Sequence, residues 1–433
     1  MSSTTQQVMM TLAALAATGA TERPSGESLE QQEQRILTGI NSQLANTSLA
    51  TGGQWSAIWV GLTASRANLA YIAKNNTGVS PQYALCLRGT VAGSPIDTSE
   101  DMEVGLMLPF TAGGGGNISQ GAMEAFTDII MGTELMGSLG IFAPSELYVT
   151  GHSLGGALVT TVSLYLLAQK FLSATSIYPY TFAAPTAGDQ AFANLFDGIF
   201  PHAMCYYNYY DIVPYAWQNL DEIYQIKSSV YPFYPNSNSK PISGPGPTVA
   251  NEPDLSGFIK GIAANTNNNS YWQPTQQTAL NNPSDVTPIF SEPYPAGATT
   301  DFQKFEVQVG YQHANTTYLT LLGLGDNPLP NLAPVVESVN PVSGPPGTAV
   351  TITPPDGCSF SQDSVVDFGI VPAASATVAE DGSTITAIAP VGVGTVDIRV
   401  TNIYGTSPVA PVYPNLTPYD YNDQFTFQLT DGT

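Results

Sequence analysis

Apolar positions recur at helical spacing from the start of the chain. Val8, Met9, Leu12 and Leu15 fall on one helical face, and Leu29, Ile36, Ile40 and Leu44 repeat the period. Residues 1–54 are therefore read as a helical segment packing on the domain that begins near residue 55. From there the texture changes. NLAYIAKN (68–75) and QYALCLRGT (82–90) are rich in β-favouring residues and flank the turn-like NTGVSP, which predicts a hairpin. The glycine-rich GGGGN (113–117) leads into a helical run over about 121–135. ELYVTGHS then reads as a strand and GGALVTTVSLYLLAQKFL as a helix. YPYTFAAP (178–185) and MCYYNYYDIVPY (204–215) read as further strands. Strands alternating with helices predict an α/β domain over 55–325 built on a mostly parallel central sheet.

Two stretches depart from this rhythm. Residues 217–300 are rich in Pro, Asn and Ser with weak periodicity, and read equally as a cap over a pocket or as a surface insertion. After a Pro-rich linker (326–333) the helical signal ends. Residues 334–433 carry short alternating runs such as TAVTITP, VVDFGIV, TVDIRVTN and DQFTFQL, which predict an all-β sandwich.

Composition adjusts the picture in three ways. At 433 residues, two domains are the natural expectation. Charged residues make up 10%, so the surface must rely on neutral polar side chains, and the net charge of −23 opposes binding to nucleic acid or anionic lipid. The 3 cysteines, Cys86, Cys205 and Cys358, form no even disulfide framework, and the first two lie in apolar runs that suggest buried free thiols. The N-terminal apolar stretch lacks a preceding Lys or Arg, so it reads as a packed amphipathic helix rather than a signal peptide. No run approaches the ~18 apolar residues of a membrane span. The chain is expected to be soluble, with its compartment, secretion included, left open.

Candidate chemistry centres on Gly151-His152-Ser153-Leu154-Gly155, which fits G-x-S-x-G between a strand and a helix. A hydroxyl at a sharp strand-to-helix turn needs small neighbours, and it gains a helix N-terminus that favours developing negative charge. Serine also needs a base. Of the 3 histidines, His152 sits inside the turn and His202 (FPHAM) precedes a strand, which leaves His313 in GYQHANTTYL. Asp211, just past a strand in YYNYYDIVP, is the expected orienting carboxylate, with Asp221 as runner-up. Asp189 reads as a helix cap and Asp197 as part of that helix. Oxyanion donors are expected from the Leu154 N–H and from Thr90, in the RGT that ends an earlier strand.

LRGT (87–90), YVTGHSLGGALV (148–159), TFAAPTAGDQAFA (181–193), YNYYDIVPY (207–215) and the late His313 together resemble the class 3 (fungal-type) lipase family of the α/β-hydrolase fold. The resemblance covers most of 55–325. It implies Ser153 as nucleophile, Asp211 as acid, His313 as base, Thr90 as oxyanion residue, and activity on acylglycerols or related esters. SQGA (119–122) replaces a segment that often carries a histidine in that family. The family's lid would fall near 94–116, where an acidic stretch meets an apolar one. VVESVNPVSGPPGTAVTITP, VDFG, ITAIAP and GTVDIRVTNIYGTS are similar to IPT/TIG immunoglobulin-like domains, which bind partners or act as spacers.

The function expected from these features is serine-dependent ester hydrolysis on a hydrophobic ester, at a lipid–water interface or in solution, with no metal or organic cofactor. Esterase action on aromatic or polymeric esters, phospholipase A1 action, and a binding protein with an inactive hydrolase domain are the alternatives.

Overall fold

The computed structural model describes residues 3–16, 21–77, 80–88, 103–219, 255–282, 301–325, 329, 333–407 and 423–428. The chain divides into two compact units, Met1–Ala17 with Gln43–Leu329 and Thr18–Ser42 with Pro330–Thr433. In chain order the described helices are α1 (Thr5–Ala16), α2 (Leu29–Leu44), α3 (Gln120–Gly132), α4 (Leu135–Phe142), α5 (Leu154–Ala168), α6 (Gln190–Ile199), α7 (Leu255–Asn265), α8 (Asp301–His313) and α9 (Asn315–Leu321).

The first unit holds strands β1 (Trp55–Leu62), β2 (Leu69–Asn75), β3 (Gln82–Arg88), β4 (Met107–Pro109), β5 (Asn117–Ser119), β6 (Leu147–His152), β7 (Ile177–Phe182), β8 (Met204–Tyr207) and β9 (Gln277–Ala279). Its main sheet runs β1-β2-β3-β6-β7-β8-β9. β1–β2 and β2–β3 pair antiparallel, and the pairings from β3 to β9 are parallel. The sheet is thus mixed, with the predicted 68–90 hairpin forming its antiparallel side.

Helices cover both faces of β6, which is why it reads as an apolar run rather than a strict alternation. Val149 joins the core formed with Ala157, Leu158 and Val162 of α5. On the other face Thr150 donates its hydroxyl to Met9 O of α1 at 3.1 Å, and Tyr71 of β2 donates to Leu12 O at 2.5 Å. α1 is buried along the whole stretch Met9–Ala16. It is a core helix enclosed on all sides, where the sequence pattern suggested one packed face. Residues Thr18–Ser42, by contrast, belong to the second unit, so the N-terminal 54 residues divide between the two bodies.

Within 217–300, β9 pairs with β8 in parallel and extends the sheet by a strand. Gln273 ties the preceding turn down, its side-chain amide donating to Ala184 O at 2.8 Å and Pro214 O at 3.0 Å. Residues 273–279 of the segment thus belong to the edge of the sheet.

The second unit contains β10 (Ser338–Asn340), β11 (Ser343–Gly344), β12 (Ala349–Thr353), β13 (Val365–Phe368), β14 (Val371–Pro372), β15 (Ser375–Val378), β16 (Ile385–Ile388), β17 (Thr395–Asn402), β18 (Gly405–Thr406) and β19 (Gln424–Phe427). One sheet runs β10-β12-β16-β15, and another runs β11-β19-β17-β13-β14. Val350, Ile352 and Ile385 of the first share one apolar cluster with Phe368, Ile398, Val400 and Phe425 of the second. In the same unit Arg23 pairs with Asp367 at 3.1 Å, and Arg35 pairs with Glu27 at 2.7 Å.

Candidate active site

Ser153 sits where β6 ends and α5 begins, with φ 58° and ψ −133°. A non-glycine residue there costs on the order of 1–3 kcal/mol and persists only when its surroundings hold it. The surroundings do so. Ser153 N–H donates to Phe182 O of β7 at 3.0 Å, and Ser153 O accepts from Gly156 N–H at 2.8 Å. The flanking glycines are sterically required. A Cβ on Gly151 would stand 2.3 Å from Gly155 O, and one on Gly155 would stand 2.1 Å from Leu87 O.

His313 ends α8 and Asp211 follows β8. The His313 Nδ1 lies 2.7 Å from Asp211 Oδ2, and its Nε2 lies 2.8 Å from Ser153 Oγ. Asp211 is fully buried and can only accept, so the ring proton resides on Nδ1. Nε2 is then the acceptor for the serine hydroxyl. The carboxylate is held further by Val213 N–H on Oδ1 at 3.0 Å and by Tyr318 OH on Oδ2 at 2.8 Å. Burial and the adjacent Asp211 push the Tyr318 hydroxyl well above its ordinary range, so it stays a donor.

A buried amide network supports this line. Asn208 N–H donates to Tyr318 OH at 3.0 Å, and the Asn208 side-chain amide donates to Gln312 O at 2.9 Å and Gln312 Oε1 at 2.8 Å. Asn281 donates to Asn208 Oδ1 at 2.9 Å and accepts from Tyr209 N–H at 2.8 Å. Asn208, Gln312 and Asn281 are buried, so each unmade bond would leave an orphaned polar group. Sequence reading did not find these residues or Tyr318. The cue available was position: Gln312 precedes the base, and Asn208 sits three residues before the acid.

His152 lies against the base, its ring centroid 4.8 Å from that of His313 and 5.2 Å from that of Tyr318. Burial, and then the neighbouring His313, holds its imidazole well below the ordinary 6.5, so it packs as a neutral ring. His202 donates from Nε2 to Ile177 O at 2.8 Å, away from the serine. Asp189 caps α6, accepting from Phe192 N–H at 2.9 Å, and Asp197 accepts from Thr275 N–H at 2.8 Å.

Leu154 is the first residue of α5, so its N–H has no acceptor within the helix. Thr90 and Asp221 lie outside the described residues. β3 leads to the same place: Leu87 pairs with Gly151, and Arg88 ends the strand buried, donating to Arg66 O at 3.2 Å. Burial lowers its guanidinium to about 10.

Residues 94–102 of the expected flap also lie outside the described residues. Its later part is packed. Val104 and Phe110 are buried, Tyr271 OH donates to Val104 O at 2.6 Å, and β4 pairs with β5. Phe110 stacks edge-on against Phe126 and Phe192, with centroids at 5.1 and 5.7 Å. Among the described residues, no cluster of His, Cys, Asp and Glu has the arrangement to hold a metal ion.

Residues 84–219 match the class 3 lipase family. The matched segment contains Ser153 and Asp211 and stops before His313. The chain is accordingly a lipase-type enzyme, a carboxylic ester hydrolase. No curated protein sequence matches it. Among solved structures it is similar to M37 lipase, with a TM-score of 0.55 and 22% identity over 74% of this chain and 93% of that one. It is also similar to the lipase from Rhizopus microsporus var. chinensis, with a TM-score of 0.36 and 18% identity over 49% and 70% of the two chains. The first likeness establishes an α/β-hydrolase fold.

Proposed function

We propose that this lipase-type hydrolase acts through an acyl-enzyme on Ser153. His313 Nε2 takes the serine proton as Oγ attacks the ester carbonyl. The Leu154 N–H and Thr90 stabilise the oxyanion, and Asp211 fixes the ring tautomer and the imidazolium that forms. His313 then protonates the leaving alkoxide, and water releases the acid by the reverse sequence. The observation that carries this reading is the unbroken hydrogen-bonded line Ser153–His313–Asp211, at 2.8 and 2.7 Å. The strained serine backbone at a helix N-terminus supports it. The ester and the hydrolytic water are the groups from outside the chain that enter these steps.

The proposed substrates are hydrophobic esters, triacylglycerols first, with aromatic, polymeric or phospholipid esters as the other class. The match of residues 84–219 to the class 3 lipase family favours the first. For the second unit we propose an IPT/TIG-like sandwich over 334–433, joined by linker 326–333 to a hydrolase domain over 55–325, its role being attachment. Rates of the purified protein and its Ser153→Ala variant on an ester series of increasing chain length test the reading. A loss of about four to six orders of magnitude in the variant is expected. Retained hydrolysis would remove Ser153, and with it the inactive-hydrolase alternative.

A further inference from the structure

The second unit leaves large apolar side chains in water at one end. Ile370, Val391 and Val393 are 78%, 81% and 79% exposed, and Val342 is 58% exposed. They come from three turns that the backbone draws together. Thr426 N–H donates to Val342 O and Phe427 N–H donates to Gly394 O, each at 2.9 Å, so two of the turns flank β19. Gly369 N–H donates to Asp397 O at 2.8 Å, which sets the turn holding Ile370 beside the start of β17. Ala389 N–H donates to Thr348 O at 2.9 Å and closes the set.

Turn geometry does not call for these residues. Gly369, Gly392 and Gly394 serve the backbone: φ is +61° at the first and +74° at the third, and a Cβ on Gly392 would stand 2.4 Å from the Phe427 ring. The valines alternate with these glycines and point to solvent. The segments 341–349, 369–374 and 388–395 contain no Asp, Glu, Lys or Arg, in a chain of net charge −23. Clustered exposed apolar side chains mark an interaction surface.

Charge selects what it meets. The chain's field repels anionic lipid and nucleic acid. A charged protein surface laid on these turns would lose hydration and meet no Asp, Glu, Lys or Arg within the three segments. A neutral, apolar liquid surface requires only what the turns offer. Esters that separate from water present such a surface to the hydrolase.

We propose that this end of the second unit adsorbs to the neutral surface of a water-insoluble ester, an inference that rests on the ester-hydrolase reading above. Adsorption is measured by flotation of the full chain with a trioctanoin emulsion, using the Ser153→Ala background so that turnover does not enter. Val391→Asp with Val393→Asp should lower the bound fraction's partition coefficient by at least about tenfold, since interfacial binding scales with buried apolar area. Ser383→Asp, in the turn at the opposite end of β16, should leave it unchanged. With Ser153 intact, the valine pair should keep its rate on soluble p-nitrophenyl acetate and lose rate on the emulsion alone.

Undiminished adsorption of the valine variant overturns the proposal. So does a dimer in sedimentation velocity that the two substitutions dissociate, because a second copy would then be the occupant. If the parent chain hydrolyses no ester while the valine pair still abolishes adsorption, the hydrolytic reading fails and the surface stands.

Discussion

The two units handle unfavourable backbone geometry differently. Among the described residues, every non-glycine residue with positive φ lies in the first unit: Arg66, Glu103, Ala143, Ser153, Lys170, Ala183, Trp217, Asn267 and Asn268. In the second unit every such position is a glycine, from Gly26 to Gly405. Two of the first unit's strained residues, Ser153 and Ala183, follow the adjacent strand ends of β6 and β7. The polar interiors differ as well. In the first unit buried Asn208, Gln312, Asn281, Tyr318, His313 and Asp211 converge on one point. In the second the apolar cluster of the two sheets dominates, and Arg399 meets Asp423 at 2.7 Å. The strained serine and the converging buried polar groups of the first unit lie where chemistry is proposed.

Substitutions probe this contrast, beginning with the largest effect. Asp211→Asn leaves the packing in place but favours the wrong imidazole tautomer, and should lower kcat/KM for a soluble ester by about four orders of magnitude. A small loss there would mean that the convergence of buried polar groups serves folding alone. Phe368→Ala removes a buried ring stacked edge-on to Phe425 at 5.4 Å, and should destabilise the second unit by about 3–5 kcal/mol. Calorimetry should show its transition falling while the rate on a soluble ester holds. Tyr318→Phe deletes the hydrogen bond to the buried carboxylate, worth about 1.5–3 kcal/mol, and the acceptor of Asn208 N–H, and should slow turnover roughly tenfold to a hundredfold with KM unchanged.

The smallest effect concerns His152. Its imidazole is held neutral by burial first and by His313 second, well below the ordinary 6.5. Below about 6.5 the unfolded chain takes up a proton that the folded chain refuses, so this contribution to stability is complete above that pH and declines as pH falls. Thermal unfolding of His152→Phe between about pH 8 and 5 should show a shallower acid decline than the parent. An unchanged slope would place the acid sensitivity elsewhere.

The sequence made some of this architecture readable because local chemistry dictated it. The glycines at 151 and 155 announce a turn that no side chain could share, and the β2–β3 hairpin arises from two β-rich runs around NTGVSP. The convergence of Ser153, Asp211 and His313 was inferred from residue types and chain order, because only one of the three histidines follows the candidate acid. What stayed hidden depends on tertiary partners. β9 is three residues, Gln-Thr-Ala, with no periodicity of its own, and exists because β8 offers it an edge. Asn208 and Asn281 look like loop asparagines until folding buries them against each other. α1 shows one apolar stripe, yet its alanines and Thr11 are buried too, since small residues let β6 and its neighbours close around it. The assignment of Thr18–Ser42 to the second unit rests on distant contacts, such as Arg35 reaching Asn402 O at 3.4 Å.

Every step proposed for the first unit requires Ser153 to be an activated nucleophile. Treating the protein with a fluorophosphonate and locating the adduct by peptide mass spectrometry tests this directly. Stoichiometric labelling of Ser153 that His313→Ala abolishes is expected. A protein that stays unlabelled, or is labelled equally well without His313, would contradict the proposed mechanism.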